Sequence, residues 1–280
     1  MARYDYRHGA VATADTVTEL TDRGSDGTAM DPIKVQPGER SIKQLWPVYG
    51  NEAATLTACG GPTTIRISGT GVDGVHEFPA PGWAMLNTSN AAFAFYRPAV
   101  PYDVEIGLIP GGNIDIYAAC DGTDMGTPNP GCGLTITGLS PRAKGIRYET
   151  ALASITAVAT STAFALRMGT VTRNSINPGN AKKITRLFTT YSNELPLVTA
   201  AGGTCFGTIV GGIENGPFPF VCGGHSTLGT TTGTGGGIYP IADSGLLEIL
   251  LNGNNISLVG EQSGDDHGTA MPSVCMELSP

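Results

Sequence analysis

One stretch of this 280-residue sequence occurs twice, and no other feature constrains the fold as strongly. Ile42-Lys-Gln-Leu45-Trp-Pro-Val-Tyr49-Gly-Asn51-Glu52 returns 142 residues later as Ile184-Thr-Arg-Leu187-Phe-Thr-Thr-Tyr191-Ser-Asn193-Glu194. The match runs on through Thr57-Ala58 and Gly60-Gly61, which meet Thr199-Ala200 and Gly202-Gly203. Nine of the twenty positions from 42 to 61 are identical, where ordinary residue frequencies give about one or two. The same offset relates Gly111-Gly-Asn113-Ile114 to Gly253-Asn-Asn255-Ile256, and Asp124-Met-Gly126-Thr127 to Asp266-His-Gly268-Thr269. The expectation is a tandem duplication: an arm at 1–9, a first domain at 10–138, a linker at 139–156 and a second domain at 157–280.

Each copy has the length of one β-sandwich or eight-stranded barrel. Composition points the same way. Gly and Pro contribute 59 residues and only 14% of the chain is charged, while Thr, Val and Ile are plentiful. That mixture makes short strands joined by tight turns and excludes an all-helical protein. Strands are expected at Val11–Thr21, Ser41–Val48, Thr63–Ser68, Tyr102–Ile109, Asn113–Ala119 and Gly133–Thr137, separated by Gly- and Pro-rich turns. Asn252-Gly253, between Leu246–Leu251 and Asn255–Val259, is a hairpin signal, because both turn positions favour positive φ. The fold class is therefore all-β, two tandem jelly-roll-like sandwiches or barrels.

The charge distribution limits the partners. Residues 1–140 carry a net charge of −7 and residues 141–280 a net charge of −1, and no Lys or Arg occurs from Leu187 to Pro280. Direct nucleic-acid binding depends on clustered Lys and Arg, so it is not expected. A large, weakly charged surface is poorly soluble alone, which points to burial against other subunits. The most apolar stretch, Ala151–Val171, is interrupted by Ser154, Thr156, Thr160 and Arg167, so no transmembrane segment is expected, nor a secretory signal at the N-terminus. Cys59, Cys120, Cys132, Cys205, Cys222 and Cys275 show no C-x-x-C spacing and read as buried thiols, with Cys120 and Cys132 able to oxidise in an extracellular particle.

No motif carries catalysis. Gly69-Thr-Gly71-Val-Asp-Gly74 fits a dinucleotide fingerprint, but the prolines that follow cannot start the helix that would hold the phosphate; it reads as a loop. His8, His76, His225 and His267 lack metal-ligand spacing, and no cofactor is expected. Asp121, Asp124, Asp265 and Asp266 offer oxygen ligands in corresponding turns, a weak calcium pattern beside the commoner turn-capping role. Asn51-Glu52 and Asn193-Glu194 form a duplicated polar pair, read as a turn that closes a hairpin over a packed Tyr. Trp46 aligns with Phe188, which reads as core.

Two similar barrels in tandem, without a catalytic constellation, resemble the double jelly-roll capsid proteins of icosahedral phages and archaeal viruses. The capsid cement or decoration proteins of tailed phages are similar in composition. The resemblance is architectural and covers nearly the whole chain. It implies a structural virion protein, not an enzyme, that is assembled in the host cytoplasm and self-associates as a homotrimer beside other capsid proteins. A carbohydrate-binding adhesin or receptor-binding module is the alternative.

Overall fold

The computed structural model describes residues 2–11, 16–21, 31–48, 63–80, 101–120, 128–157, 159–168, 171–193, 203–225, 227–228, 235–236, 242–263 and 270–280. Among them the regular structure is all strand. The first half contains β1 (Arg3–His8), β2 (Thr18–Glu19), β3 (Ile33–Lys34), β4 (Ser41–Val48), β5 (Thr63–Ser68), β6 (His76–Ala80), β7 (Tyr102–Gly107), β8 (Asn113–Cys120) and β9 (Gly131–Thr137). The second contains β10 (Arg147–Leu152), β11 (Thr162–Ala163), β12 (Leu166–Met168), β13 (Val171–Arg173), β14 (Lys183–Asn193), β15 (Gly203–Gly211) and β16 (Phe218–His225). It continues with β17 (Thr227–Leu228), β18 (Gly235–Gly236), β19 (Ala242–Asp243), β20 (Ile249–Leu250), β21 (Ser257–Gln262) and β22 (Ala270–Ser279).

The pairings are nested. β5 pairs β6, β4 pairs β7, β2 and β3 pair β8, and β1 pairs β9, all antiparallel. Cross-pairings of β4 with β9 and of β5 with β8 gather these strands into two sheets, ordered β1-β9-β4-β7 and β2-β8-β5-β6. A long hairpin rolled up in this way is a jelly roll. The second half repeats it as β10-β22-β14-β19, with β20 also on β14, and β11-β21-β15-β16. The residue register agrees across the halves. Ile42 pairs Ile136 and Ile184 pairs Leu278; Ile65 pairs Phe78 and Gly207 pairs Phe220. A register shift falls between Ile42 and Gln44 and again between Ile184 and Arg186.

Period-two alternation builds each interior. Ile114, Ile116 and Ala118 of β8 point inward with Ile65 and Ile67 of β5, while Asp115 and Tyr117 point out. The second interior gathers Leu187, Ile209, Leu258, Val274, Met276 and Leu278. β22 is buried along its whole length, because one face lines its own sandwich and the other meets the first half.

Several expectations need correction. Residues 3–8 are not an arm but a sheet strand, since β1 pairs β9 along its length. Residues 147–152 are not linker but β10, paired with β22. His76–Ala80 forms a strand despite Pro79, because β6 lies at a sheet edge, where a missing N–H is tolerated. Within Val11–Thr21 the described strand is only Thr18–Glu19. Asn252-Gly253 does turn the chain, with φ +84° at Gly253 and the Asn254 N–H donating to Asn252 Oδ1 at 3.0 Å. It links no hairpin, however: β20 pairs β14 and β21 pairs β15, so the turn carries the chain from one sheet to the other. The glycine-rich 69–74 segment joins β5 to β6 as a loop.

Candidate functional site

The most elaborate chemistry among the described residues lies where the two halves meet. The edge strands β6 and β7 of the first half press on the outward face of the β10-β22-β14 sheet. Backbone groups of the edge serve as acceptors: Thr150 Oγ1 donates to the Glu77 carbonyl at 2.7 Å, and Arg186 Nη1 to the Asp103 carbonyl at 3.0 Å. Aromatic rings fill the space between. Tyr148 lies 4.8 Å from Phe78, and Tyr102 meets Phe188 edge-on at 4.7 Å between centroids, an arrangement that suits ring quadrupoles. All four rings are buried.

One hydrogen-bonded chain of polar groups runs through the junction. Glu277, on the junction face of β22, is fully buried. Its carboxylate accepts from Tyr148 Oη at 2.6 Å, from Thr185 Oγ1 at 2.5 Å and from the Arg142 guanidinium. Tyr148 Oη in turn accepts from the Glu105 N–H at 2.8 Å, and the Glu105 carboxylate holds Lys43 Nζ at 2.5 Å and the Arg142 N–H at 2.8 Å. A buried charge needs this degree of pairing, because desolvation alone costs several kcal/mol. Burial, reinforced by the Glu277 charge, holds the Tyr148 hydroxyl well above its ordinary range, so it remains a donor. Tyr102 is likewise raised by burial, and its hydroxyl donates to the Pro79 carbonyl at 2.5 Å.

His76 sits beside this network, its ring 5.8 Å from Tyr148. Burial pushes its imidazole down to about 4, against the opposing pull of the Asp73 carbonyl, which lies 3.1 Å from Nε2. Nδ1 has no hydrogen-bond partner. The five described cysteines, Cys120, Cys132, Cys205, Cys222 and Cys275, are buried thiols outside any disulfide. Burial raises Cys132 and Cys205 to about 12 and pushes Cys222 and Cys275 well above the ordinary thiol value. Thiols so protonated are poor nucleophiles. Hydrogen bonds within the junction thus serve cohesion between the halves.

Most of the site residues singled out from sequence are not among the described ones. Asp121, Asp124, Asp265, Asp266, Asn51, Glu52 and Glu194 fall outside the described residues, as does Cys59. Asn193 is the last residue of β14, opposite Ala270, and Tyr191 of the same motif is buried in the second core. Among the described residues no three His, Cys, Asp or Glu side chains gather as a metal site, and no helix is long and apolar enough to cross a membrane. Sequence patterning does not single out Glu277, Tyr148 or Tyr102. The one available signal was a lone carboxylate in the apolar run Val274-Cys-Met-Glu277-Leu.

Two outer surfaces are conspicuously apolar. On the β1-β9-β4 sheet Tyr4 is 60% exposed and Val48 42%, with the half-buried Trp46 ring 6.2 Å from Tyr4. In the second half Val221 is 57% exposed beside a groove of about 220 Å³ between β16 and the β14-β19 edge. No protein-family model and no curated protein matches the sequence.

Proposed function

We propose that this chain is a structural virion protein that assembles into or onto an icosahedral capsid shell, as a double-barrel capsid subunit or a decoration protein. The observation that carries the reading is the junction. One jelly roll already binds another, edge to face, through buried rings and a saturated polar network, and further apolar sheet surface stays open outside. A weakly charged chain whose barrels are built to sit beside barrels suits a lattice. The subunit is a homotrimer, with other capsid proteins as neighbours.

Light scattering on purified protein at high concentration, with negative-stain imaging of its association with particles, tests this. Trimers and particle binding are expected; a monomer that decorates nothing overturns it. One observation favours a second reading. The exposed Tyr4 and the half-buried Trp46 form a ring pair on a sheet, the kind of platform a sugar face stacks on. A carbohydrate-binding module predicts glycan-array hits that are lost in Trp46→Ala.

A further inference from the structure

We propose that copies of this chain join by repeating the internal junction, the β16 edge of one copy seating on the β1-β9-β4 face of the next. The inference rests on the self-association in the reading above and names the surfaces that perform it.

Equal register makes the two ends comparable residue by residue. Inside the chain the receiving face presents Tyr148 on β10 and Phe188 on β14, with Phe188 opposite Cys275. In the first half Trp46 stands opposite Gly133, the matching pair, and Tyr4 occupies on β1 the place that Tyr148 has on β10. An aromatic pair therefore recurs at the same two positions, with centroids 6.5 Å apart inside the junction and 6.2 Å apart on the open face. The polar position recurs as well. Glu277, which accepts from Tyr148, matches Thr135, whose Oγ1 accepts from Trp46 Nε1 at 3.2 Å.

The inserting edges correspond in the same way. Phe78, opposite Ile65, matches Phe220, opposite Gly207. Tyr102, whose ring fills the internal junction, falls at the position of Ser244 in the second half. Loss of that ring leaves the groove of about 220 Å³ lined by Leu187, Phe218, Phe220, Val221, Ser244 and Leu247. The open face carries the opposite change, Trp46 where the internal face has Phe188. A smaller residue on the edge is thus matched by a larger one on the face, which keeps the combined volume close to that of a packed interface.

Charge agrees. In the first half the β5-β6 surface carries the Arg66–Glu77 ion pair, and the matching positions in the second half are Thr208 and Pro219. The second edge has therefore lost that ion pair, and the charge in its groove lining, Asp243, is already held by Arg186 at 3.0 Å. Each surface repeats one side of a junction that this chain already makes, so the occupant is a second copy. Because an edge meets a face, the contact is heterologous and runs head to tail, closing into a ring where the rotation allows.

Two substitutions at exposed positions test this without touching either core: Tyr4→Arg on the face and Val221→Arg on the edge, with circular dichroism to confirm the fold. By sedimentation velocity the wild type forms multimers, and each variant alone sediments as the 28.8 kDa monomer, its association weakened about 30-fold or more. An equimolar mixture of the two variants forms a two-chain species and nothing larger, since the Tyr4→Arg copy keeps its edge and the Val221→Arg copy keeps its face. Variants that assemble like wild type overturn the proposed surfaces while self-association stands. A mixture that stays monomeric overturns the edge-to-face pairing, and a monomeric wild type overturns both this inference and the reading beneath it.

Discussion

His76 makes the stability of this protein depend on mild acid. Its imidazole is fully buried, holds its proton only below about 4 when folded, and titrates near 6.5 when unfolded. Between those values the unfolded chain binds more protons at this group, so the His76 contribution to stability is constant above about pH 6.5 and falls as the pH drops towards 4. The gap corresponds to a loss of about 3 kcal/mol from this one group, a large share of the 5–15 kcal/mol typical of a domain. Protonation would place a cation at an Nδ1 with no acceptor, near Arg147 and against the Tyr148 ring. The perturbation is His76→Gln, whose amide can still donate towards the Asp73 carbonyl but does not titrate. Urea unfolding followed by fluorescence, from about pH 7 to about pH 4, gives both stability curves. The wild type is expected to lose about 3 kcal/mol more than the variant across that range. Parallel curves, or a folded-state imidazole titrating near 6.5 by NMR, would refute the reasoning.

Four further outcomes follow from the packing. Phe188→Ala opens a cavity between Tyr102 and Tyr148 and should cost about 3–5 kcal/mol in urea unfolding; a cost below 1 kcal/mol would mean the ring is not enclosed. Tyr148→Phe deprives the Glu105 N–H of its acceptor and Glu277 of a donor, and should cost about 1–3 kcal/mol by the same assay. Gly207→Ala would set its Cβ 2.2 Å from Phe220 Cζ, so the ring must shift, at a cost of about 1–3 kcal/mol and a lower Tm; an unchanged melting curve contradicts the contact. A short alkylation pulse at neutral pH should leave Cys132, Cys205, Cys222 and Cys275 unlabelled in the folded protein and labelled in urea, read by peptide mass mapping.

Much of the sandwich is legible in the residues. Ser41–Val48 and Thr63–Ser68 are strands at the predicted limits, because turns rich in Gly and Pro precede both and Ile65-Arg66-Ile67 alternates. β1 is hidden because its alternation is inverted: Tyr4 and Tyr6 face outward, while the inward Arg7 is held by Asp5 at 2.7 Å. β6 is hidden by Pro79, which only an edge position permits. The junction is the least legible part. Tyr148 and Glu277 are buried not by the period of their own strands but by a neighbouring barrel, and no local pattern reports that contact. What the sequence did carry was the relation between halves. Tyr4 with Tyr148, and Trp46 with Phe188, become informative only once strand register makes them equivalent.

The nested pairing also orders the events of folding. β5 and β6 are separated by seven residues, whereas joining β1 to β9 brings Arg3 to Ile136. Loop-closure entropy grows with the logarithm of length, so the innermost hairpin closes at least cost, and each pair formed shortens the loop that the next must close. Loop-closure entropy therefore favours zipping from β5-β6 outward through β4-β7 and β3-β8, with β1 docking last. Until it does, β9 stands as an uncovered sheet edge, open to mispairing with other copies.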